Sequence, residues 1–415
     1  MTTPRLIVAD PGLNGPAGHH LSYSAAVAQA ARRAGMGAVI LAGRGFSGEI
    51  EGLDTRPVLG TAYQSAGGGG GMRRLLFGAF SHLPAPLAAA LAGLLRDARR
   101  RLAGRAPDGL AAELAAALGG LHAGPADFLL LHSVSGANLA SLASGPDLAG
   151  VALLVVLRRM PAEMEADDPA PEPLPDLLRR LAARFGLRLR LFADTEMLAE
   201  DFAALTGLPV HPVPLPITVP EAAPRPAAGL PCVVFAGGAR AEKGYPALPA
   251  AIAALRGRAR FLIQSGPVGP DSDPLVQQAH RALRAMAGEG LVLLESTLSP
   301  ADYAGLLAEA DLMLLPYDGP TYGARSSGIL AEALAMGVPA VVPVGCWMAA
   351  VAGADRAVTI PRGAPLAPSL ADALDRLPAL ALAARAQAPA WRAKHNADAL
   401  LAALLPTAGG CPRGG

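Results

Sequence analysis

The 415-residue chain is poor in cysteine, aromatics, net charge and long apolar runs. Its three cysteines, Cys232, Cys346 and Cys411, are odd in number and widely spaced, which excludes a disulfide framework and a cysteine zinc site. Aromatics at 4% are too few for a platform of stacked bases. A net charge of +1 provides no field to gather nucleic acid. The longest apolar stretches, such as Leu87–Leu95 and Leu312–Pro316, fall well short of the roughly 20 residues a spanning helix needs. The opening MTTPRLIVAD has one arginine and then a strand-like run, without the apolar core of a signal peptide. The expectation is a cytoplasmic protein in a reducing compartment, with no nucleic-acid partner.

Short apolar runs alternating with helical stretches fill the chain. Leu6–Ala9, Ala38–Ala42, Phe128–Leu131, Val151–Leu157 and Leu187–Phe192 read as strands, and His20–Ala34 as a helix. Continuous apolar runs of this length, separated by helices, mark a parallel sheet covered on both faces. The five glycines of Gly67–Gly71 read as a flexible loop, and the acids and prolines of Glu163–Pro175 as another. His211–Gly229 holds six prolines and reads as a stiff linker, because proline blocks sheet ladders and helix interiors. The alternation then restarts, with strands at Cys232–Phe235, Ala259–Gln264, Val292–Leu294, Leu312–Leu315 and Ala340–Pro343. Helices are expected at Tyr245–Leu255, Pro300–Ala308, Gly328–Met336 and Trp391–Leu405. The pattern predicts an α/β protein of two doubly wound, Rossmann-like domains.

Three stretches carry chemistry. In the first, a strand ends in Gly237 and Gly238, and Arg240 and Lys243 follow within a short turn. Two cations after a glycine turn suit a diphosphate, although exposed cations are more often solvated surface. In the second, Arg325, Ser326, Ser327 and Gly328 open a helix whose free N–H groups suit phosphate, while a serine there is also a common N-cap. Glu332 lies one turn on, between Ile329 and Met336, on an apolar face where a carboxylate needs a partner. In the third, ADPGLNGPAGHH joins the first strand to the first helix through Gly12, Gly15 and Gly18, and ends in His19 and His20. It is not a G-x-G-x-x-G dinucleotide fingerprint. Asp271-Ser272-Asp273 is a D-x-D in a Gly/Pro loop and reads as a turn rather than a metal site.

Glu242-Lys243-Gly244, Leu314-Leu315-Pro316, Glu332-Ala333 and Gly337-Val338-Pro339 together resemble the family-4 retaining glycosyltransferases of the GT-B fold. The resemblance implies two domains facing across a cleft. Residues 1–215 would form an acceptor-side domain and 228–387 a nucleotide-sugar-binding domain. A helix over 388–406 would cross back to the first domain, and 407–415 would be a disordered tail. By the same resemblance Arg240 and Lys243 stabilise the departing diphosphate, and Glu332 binds the ribose. Gly237, Gly238, Arg325, Ser326, Ser327 and Gly328 complete the donor site, and Gly15, Gly18, His19 and His20 lie on the acceptor side. No metal and no cofactor is expected, the nucleotide-sugar being a substrate. In the mechanism proposed for that family the leaving phosphate takes the acceptor proton.

The chain also departs from the pattern. The family's first motif glutamate is Ala324 here, and the usual turn arginine is Gly238, with Arg240 two residues later. The strand Val151–Leu157 runs into Arg158 and Arg159, where many relatives place an acceptor-side histidine. Two other readings therefore stay open: a non-catalytic nucleotide-sugar-binding protein and a sugar-nucleotide epimerase. Residues 72–105 hold seven arginines and one aspartate around LPAPLAAALAGLL. Such a segment suits peripheral contact with the inner face of an anionic membrane, or an amphipathic helix packed on its domain.

Overall fold

The computed structural model describes residues 3–15, 18–61, 109–167, 172–219, 229–288 and 290–405. The glycine run, the basic segment 72–105 and the tail 407–415 lie outside them. The chain divides into two compact units. One comprises the described residues up to Val213 and those from Leu400 onward, and the other is Pro214–Ala399.

The first unit is built on seven strands: β1 Arg5–Asp10, β2 Gly37–Gly43, β3 Asp54–Leu59, β4 Phe128–Leu131, β5 Ala152–Leu157, β6 Leu189–Ala193 and β7 Val210–Pro212. Their order is β3-β2-β1-β4-β5-β6-β7, with every pairing parallel. Leu6, Ile7 and Val8 of β1 are fully buried, as are Leu129–Leu131 of β4 and Leu153–Leu157 of β5. Each such side chain contributes roughly 1.5–3 kcal/mol of apolar burial. Strand order reverses between β1 and β4, where Leu6 pairs with Phe128. In open parallel sheets the crevice beyond the strand ends at that reversal is where ligands bind.

The second unit repeats the plan with six strands: β8 Cys232–Phe235, β9 Arg260–Gln264, β10 Leu291–Leu294, β11 Leu312–Leu314, β12 Ala340–Pro343 and β13 Ala357–Ile360. The order is β10-β9-β8-β11-β12-β13, again parallel throughout. Its reversal falls between β8 and β11. The expected pair of doubly wound sheets is what the molecule contains, with β3, β7 and β13 added to the expected strands.

Proline accounts for most of the local differences. Both ends of Glu163–Pro175, expected as loop, are helical: helices occupy Pro161–Asp167 and Leu174–Phe185, and residues 168–171 lie outside the described ones. Pro161 and Pro175 stand in first turns, where a missing N–H costs nothing. His211 and Pro212, expected in the linker, belong to β7, an edge strand that needs no second ladder. The helix expected from Tyr245 begins as a 3-10 turn, Tyr245–Ala247, and becomes α-helical only over Leu248–Ala254. The last helix is two: Leu377–Lys394 and Ala397–Leu404. Asn396 separates them, and its side chain accepts the Ala399 N–H at 2.8 Å as a new cap. No helix among the described residues is long and apolar enough to cross a membrane.

Candidate functional site

In the second unit the chemistry gathers at the reversal point. After β8 the backbone turns through Gly237 and Gly238, both at positive φ. A Cβ on Gly237 would fall 2.4 Å from the Lys243 Nζ and 2.6 Å from Ile329, so a side chain there would displace both tips, and the positive φ favours glycine. Gly237 donates its N–H to Gln264 Oε1 at 2.7 Å. Its carbonyl accepts from Lys243 Nζ at 2.5 Å. Lys243 is buried, with its ammonium 5.6 Å from the centre of the Tyr317 ring. Desolvation, aided by the nearby charges of Arg240 and Arg325, pulls its pKa down to about 7. Arg240 differs: it is more than half exposed and pairs with Glu242 at 3.1 Å.

After β11 the chain passes through Tyr317 and a short helical turn, Gly319–Tyr322, to the helix Gly328–Ala335. Ser327 is its N-cap, accepting the Leu330 N–H at 3.3 Å. A Cβ on Gly328 would meet open space. Arg325 lies over the Tyr322 ring at 4.9 Å, and the Tyr317 and Tyr322 rings are 4.5 Å apart. Ala324, at the position of the family's first glutamate, is buried. Glu332 is half-buried, and desolvation raises its pKa. Its carboxylate accepts from the Tyr303 hydroxyl at 2.6 Å. Tyr303 comes from the helix Pro300–Ala308 and was missed in the sequence, because nothing local links it to a residue 29 positions away. The structure thus brings Gly237, Lys243, Arg240, Arg325, Ser327 and Glu332 into one neighbourhood. Asp273 of the D-x-D caps the helix Pro274–Met286, accepting the Leu275 N–H at 2.9 Å.

The first unit holds a second polar cluster, also at its reversal point. Asp10 ends β1 and is fully buried. Its carboxylate accepts the Gly12 N–H at 2.9 Å and the Ser24 hydroxyl at 3.1 Å. His20 Nδ1 lies 2.9 and 3.0 Å from its two oxygens, and His132 Nε2 lies 3.2 Å from Oδ2. Burial alone would raise the Asp10 pKa, but His132 and His20 outweigh it and hold the carboxyl far below the usual range. His132 directly follows β4, is fully buried and lies 2.8 Å from the Ser24 hydroxyl. Desolvation lowers its pKa. Ser133 bridges the rings, at 3.2 Å from His132 Nδ1 and 3.4 Å from His20 Nδ1.

His19 and His20 open the helix His19–Arg33 side by side, ring centroids 4.2 Å apart. Gly18 caps this helix at positive φ, and Gly15 lies in the same turn. A Cβ on Gly12 would strike the His20 ring at 2.2 Å, so a glycine there lets the ring lie against the turn. Arg158, after β5, pairs with buried Asp194 at 3.2 Å and lies over Tyr23 at 4.9 Å. β5 ends in Leu157 with Arg158 after it, whereas neighbouring β4 is followed by His132. The phrase FLLLHS carried that signal, a polar pair directly after an apolar strand, as LIVAD did for Asp10.

No protein-family model matches the chain, and no curated protein matches it by sequence. Solved structures do match. Sucrose-phosphate synthase from Thermosynechococcus elongatus superposes with a TM-score of 0.60 at 12% identity, covering 96% of this chain and 97% of that one. WaaG, a glycosyltransferase involved in lipopolysaccharide biosynthesis, gives a TM-score of 0.60 at 16% identity over 98% and 100% of the two chains. HepE from Anabaena, solved with UDP and glucose, gives 0.59 at 15% over 96% and 97%. At these identities the likeness is one of fold, and the fold is GT-B.

Proposed function

We propose that the protein is a glycosyltransferase that takes a sugar from a nucleoside-diphosphate donor held by its second unit. The observation that carries this is the pairing of a buried lysine, folded back on the Gly237 carbonyl, with a capped helix N-terminus at the reversal of the β8–β13 sheet. Burial makes the Lys243 ammonium costly despite the Glu242 carboxylate nearby, and a diphosphate is a ligand that offsets that cost. Arg240, Arg325 and the N–H groups around Gly328 add positive potential where the leaving group gathers charge. Gly237 and Gly238 let backbone approach the phosphates, with Ser326 and Ser327 beside them. Glu332, which holds the Tyr303 hydroxyl, would accept the ribose hydroxyls. The cations present supply charge neutralisation without a metal ion. The neighbouring fold HepE, solved with UDP and glucose, supports a nucleotide-sugar as the ligand class.

Gly15, Gly18, His19 and His20 belong, on this reading, to the acceptor side in the first unit. The family resemblance implies retention of configuration, with the leaving phosphate taking the acceptor proton. The test is incubation with UDP-, GDP- and ADP-activated hexoses while nucleoside diphosphate release is followed. Turnover with one donor, lost in Lys243→Ala, is the expected result. Binding without turnover indicates a nucleotide-sugar-binding protein, and an isomerised sugar without release indicates an epimerase.

A further inference from the structure

The donor-side residues of the second unit follow one another in the order in which a nucleotide-sugar presents its parts. Glu332, one turn into the helix Gly328–Ala335, is the ribose position, and Lys243 with the helix start at Gly328 takes the diphosphate. A sugar on the far phosphate extends away from Glu332, past the helix start, toward the residues that precede it. Tyr322, Ala324 and Arg325 stand there. Arg325 is half-buried, and its guanidinium lies 4.9 Å from the centre of the Tyr322 ring. Its backbone N–H donates to the Tyr322 carbonyl at 3.1 Å, which closes the turn beneath the side chain. Its charge is felt at Lys243, so the two cations are neighbours.

The carboxylates near this turn are engaged elsewhere. Glu242 pairs with Arg240 at 3.1 Å, and Asp318 caps the turn Gly319–Tyr322 by accepting the Thr321 N–H at 3.3 Å. Glu332 holds the Tyr303 hydroxyl on the ribose side. Ala324, buried beside Arg325, adds no polar side chain. A neutral sugar offers hydroxyls, which groups able to accept as well as donate read best. A guanidinium only donates, through a planar fork that matches the two oxygens of a carboxylate. Half-buried, with Lys243 of like charge beside it, that fork gains most from an anion.

Resting on the glycosyltransferase reading, we propose that the donor sugar is a uronic acid and that Arg325 reads its carboxylate. Lys243 and the helix start then hold the phosphates. The field of Arg325 still reaches them, while its N–H fork meets the sugar. Neutral hexoses are disfavoured because they lack the charge-assisted contact.

Calorimetry on the full chain tests this with donor pairs that differ only at C6 of the sugar: UDP-glucose and UDP-glucuronic acid, UDP-galactose and UDP-galacturonic acid, GDP-mannose and GDP-mannuronic acid. In the pair whose base and stereochemistry fit best, the acid should bind about 10- to 100-fold tighter, the worth of a charge-assisted hydrogen-bonded pair. Arg325→Gln should erase that ratio, and Arg325→Lys, which keeps the charge without the fork, should leave an intermediate one. The ratio is the readout because any effect of Arg325 on the shared diphosphate cancels in it. Binding of UDP or GDP by each variant reports that the site is still folded. Acids that bind no tighter than their neutral partners in every pair overturn the proposal, as does a preference for the acid that Arg325→Gln leaves intact. If neither the nucleotides nor any of these donors binds the wild-type chain, the transferase reading fails and this inference falls with it. Binding without preference defeats the uronic acid alone.

Discussion

Lys243 gives up its proton near pH 7, because burial and its cationic neighbours favour the neutral amine. A diphosphate anion favours the ammonium, so donor binding above pH 7 must take up a proton. Affinity should then fall as pH rises through 7, by a factor approaching ten per unit. Calorimetry at pH 8 in two buffers of different ionisation enthalpy should report uptake approaching one proton, abolished in Lys243→Ala. A heat of binding independent of buffer would mean that Lys243 does not face the phosphates. Lys243→Ala should also cost about 2–4 kcal/mol in kcat/KM, as when one preorganised donor is lost. Arg240→Ala should cost less, because its guanidinium is more than half exposed and already paired with Glu242. The Tyr303–Glu332 contact invites a matching pair. Tyr303→Phe should raise donor KM by about fivefold with kcat unchanged, roughly the worth of one hydrogen bond. Glu332→Gln should raise it more, and equal donor affinity in both variants and wild type would make the pair structural.

Elements show why parts of the candidate site are legible in the sequence and parts are not. Lys243, Ser327 and Glu332 lie in local phrases, a glycine turn after a strand and a capped helix start, and local phrases survive in sequence. Asp10 and His132 each sit one step beyond a legible strand, but their meeting depends on β1 pairing with β4 across more than a hundred residues. No periodicity states that pairing. The prolines misled for the opposite reason. Pro161 and Pro212 are breakers in an element's interior, yet a helix's first turn and a sheet's edge tolerate them. Caps follow the same local logic and can be tested. Ser327 starts the helix that carries Glu332, so Ser327→Ala should lower unfolding free energy by about 1 kcal/mol in urea titration. An unchanged midpoint would mean that the helix start is held by other contacts.

Across the whole molecule, the two units solve one problem twice. Each parallel sheet is largely apolar and gathers a polar cluster where strand order reverses, beyond β1 and β4 in one unit and beyond β8 and β11 in the other. Each reversal point then holds a buried ionisable group with a displaced pKa, and each makes stability depend on pH in its own window. His132 is buried with its pKa lowered from 6.5. As pH falls below about 6.5 the unfolded chain takes up a proton at this histidine before the folded chain does, so stability is lost toward acid. Asp10 acts in the same direction at lower pH, because its folded pKa lies below the ordinary 3.8. Lys243 acts on the alkaline side: between its folded pKa of about 7 and the ordinary 10.5 the unfolded chain holds the extra proton. Its contribution to stability therefore rises with pH across that span. Hydrogen exchange followed peptide by peptide separates the two. Protection of β1 and β4 should weaken as pH drops from 6.5 toward 4, after correction for intrinsic rates, and His132→Gln should flatten that slope. Protection around Gly237 and Lys243 should grow from pH 7 toward 10, and Lys243→Met should remove the growth. A loss of protection in acid that His132→Gln leaves untouched would place the acid-sensitive group elsewhere in the first unit.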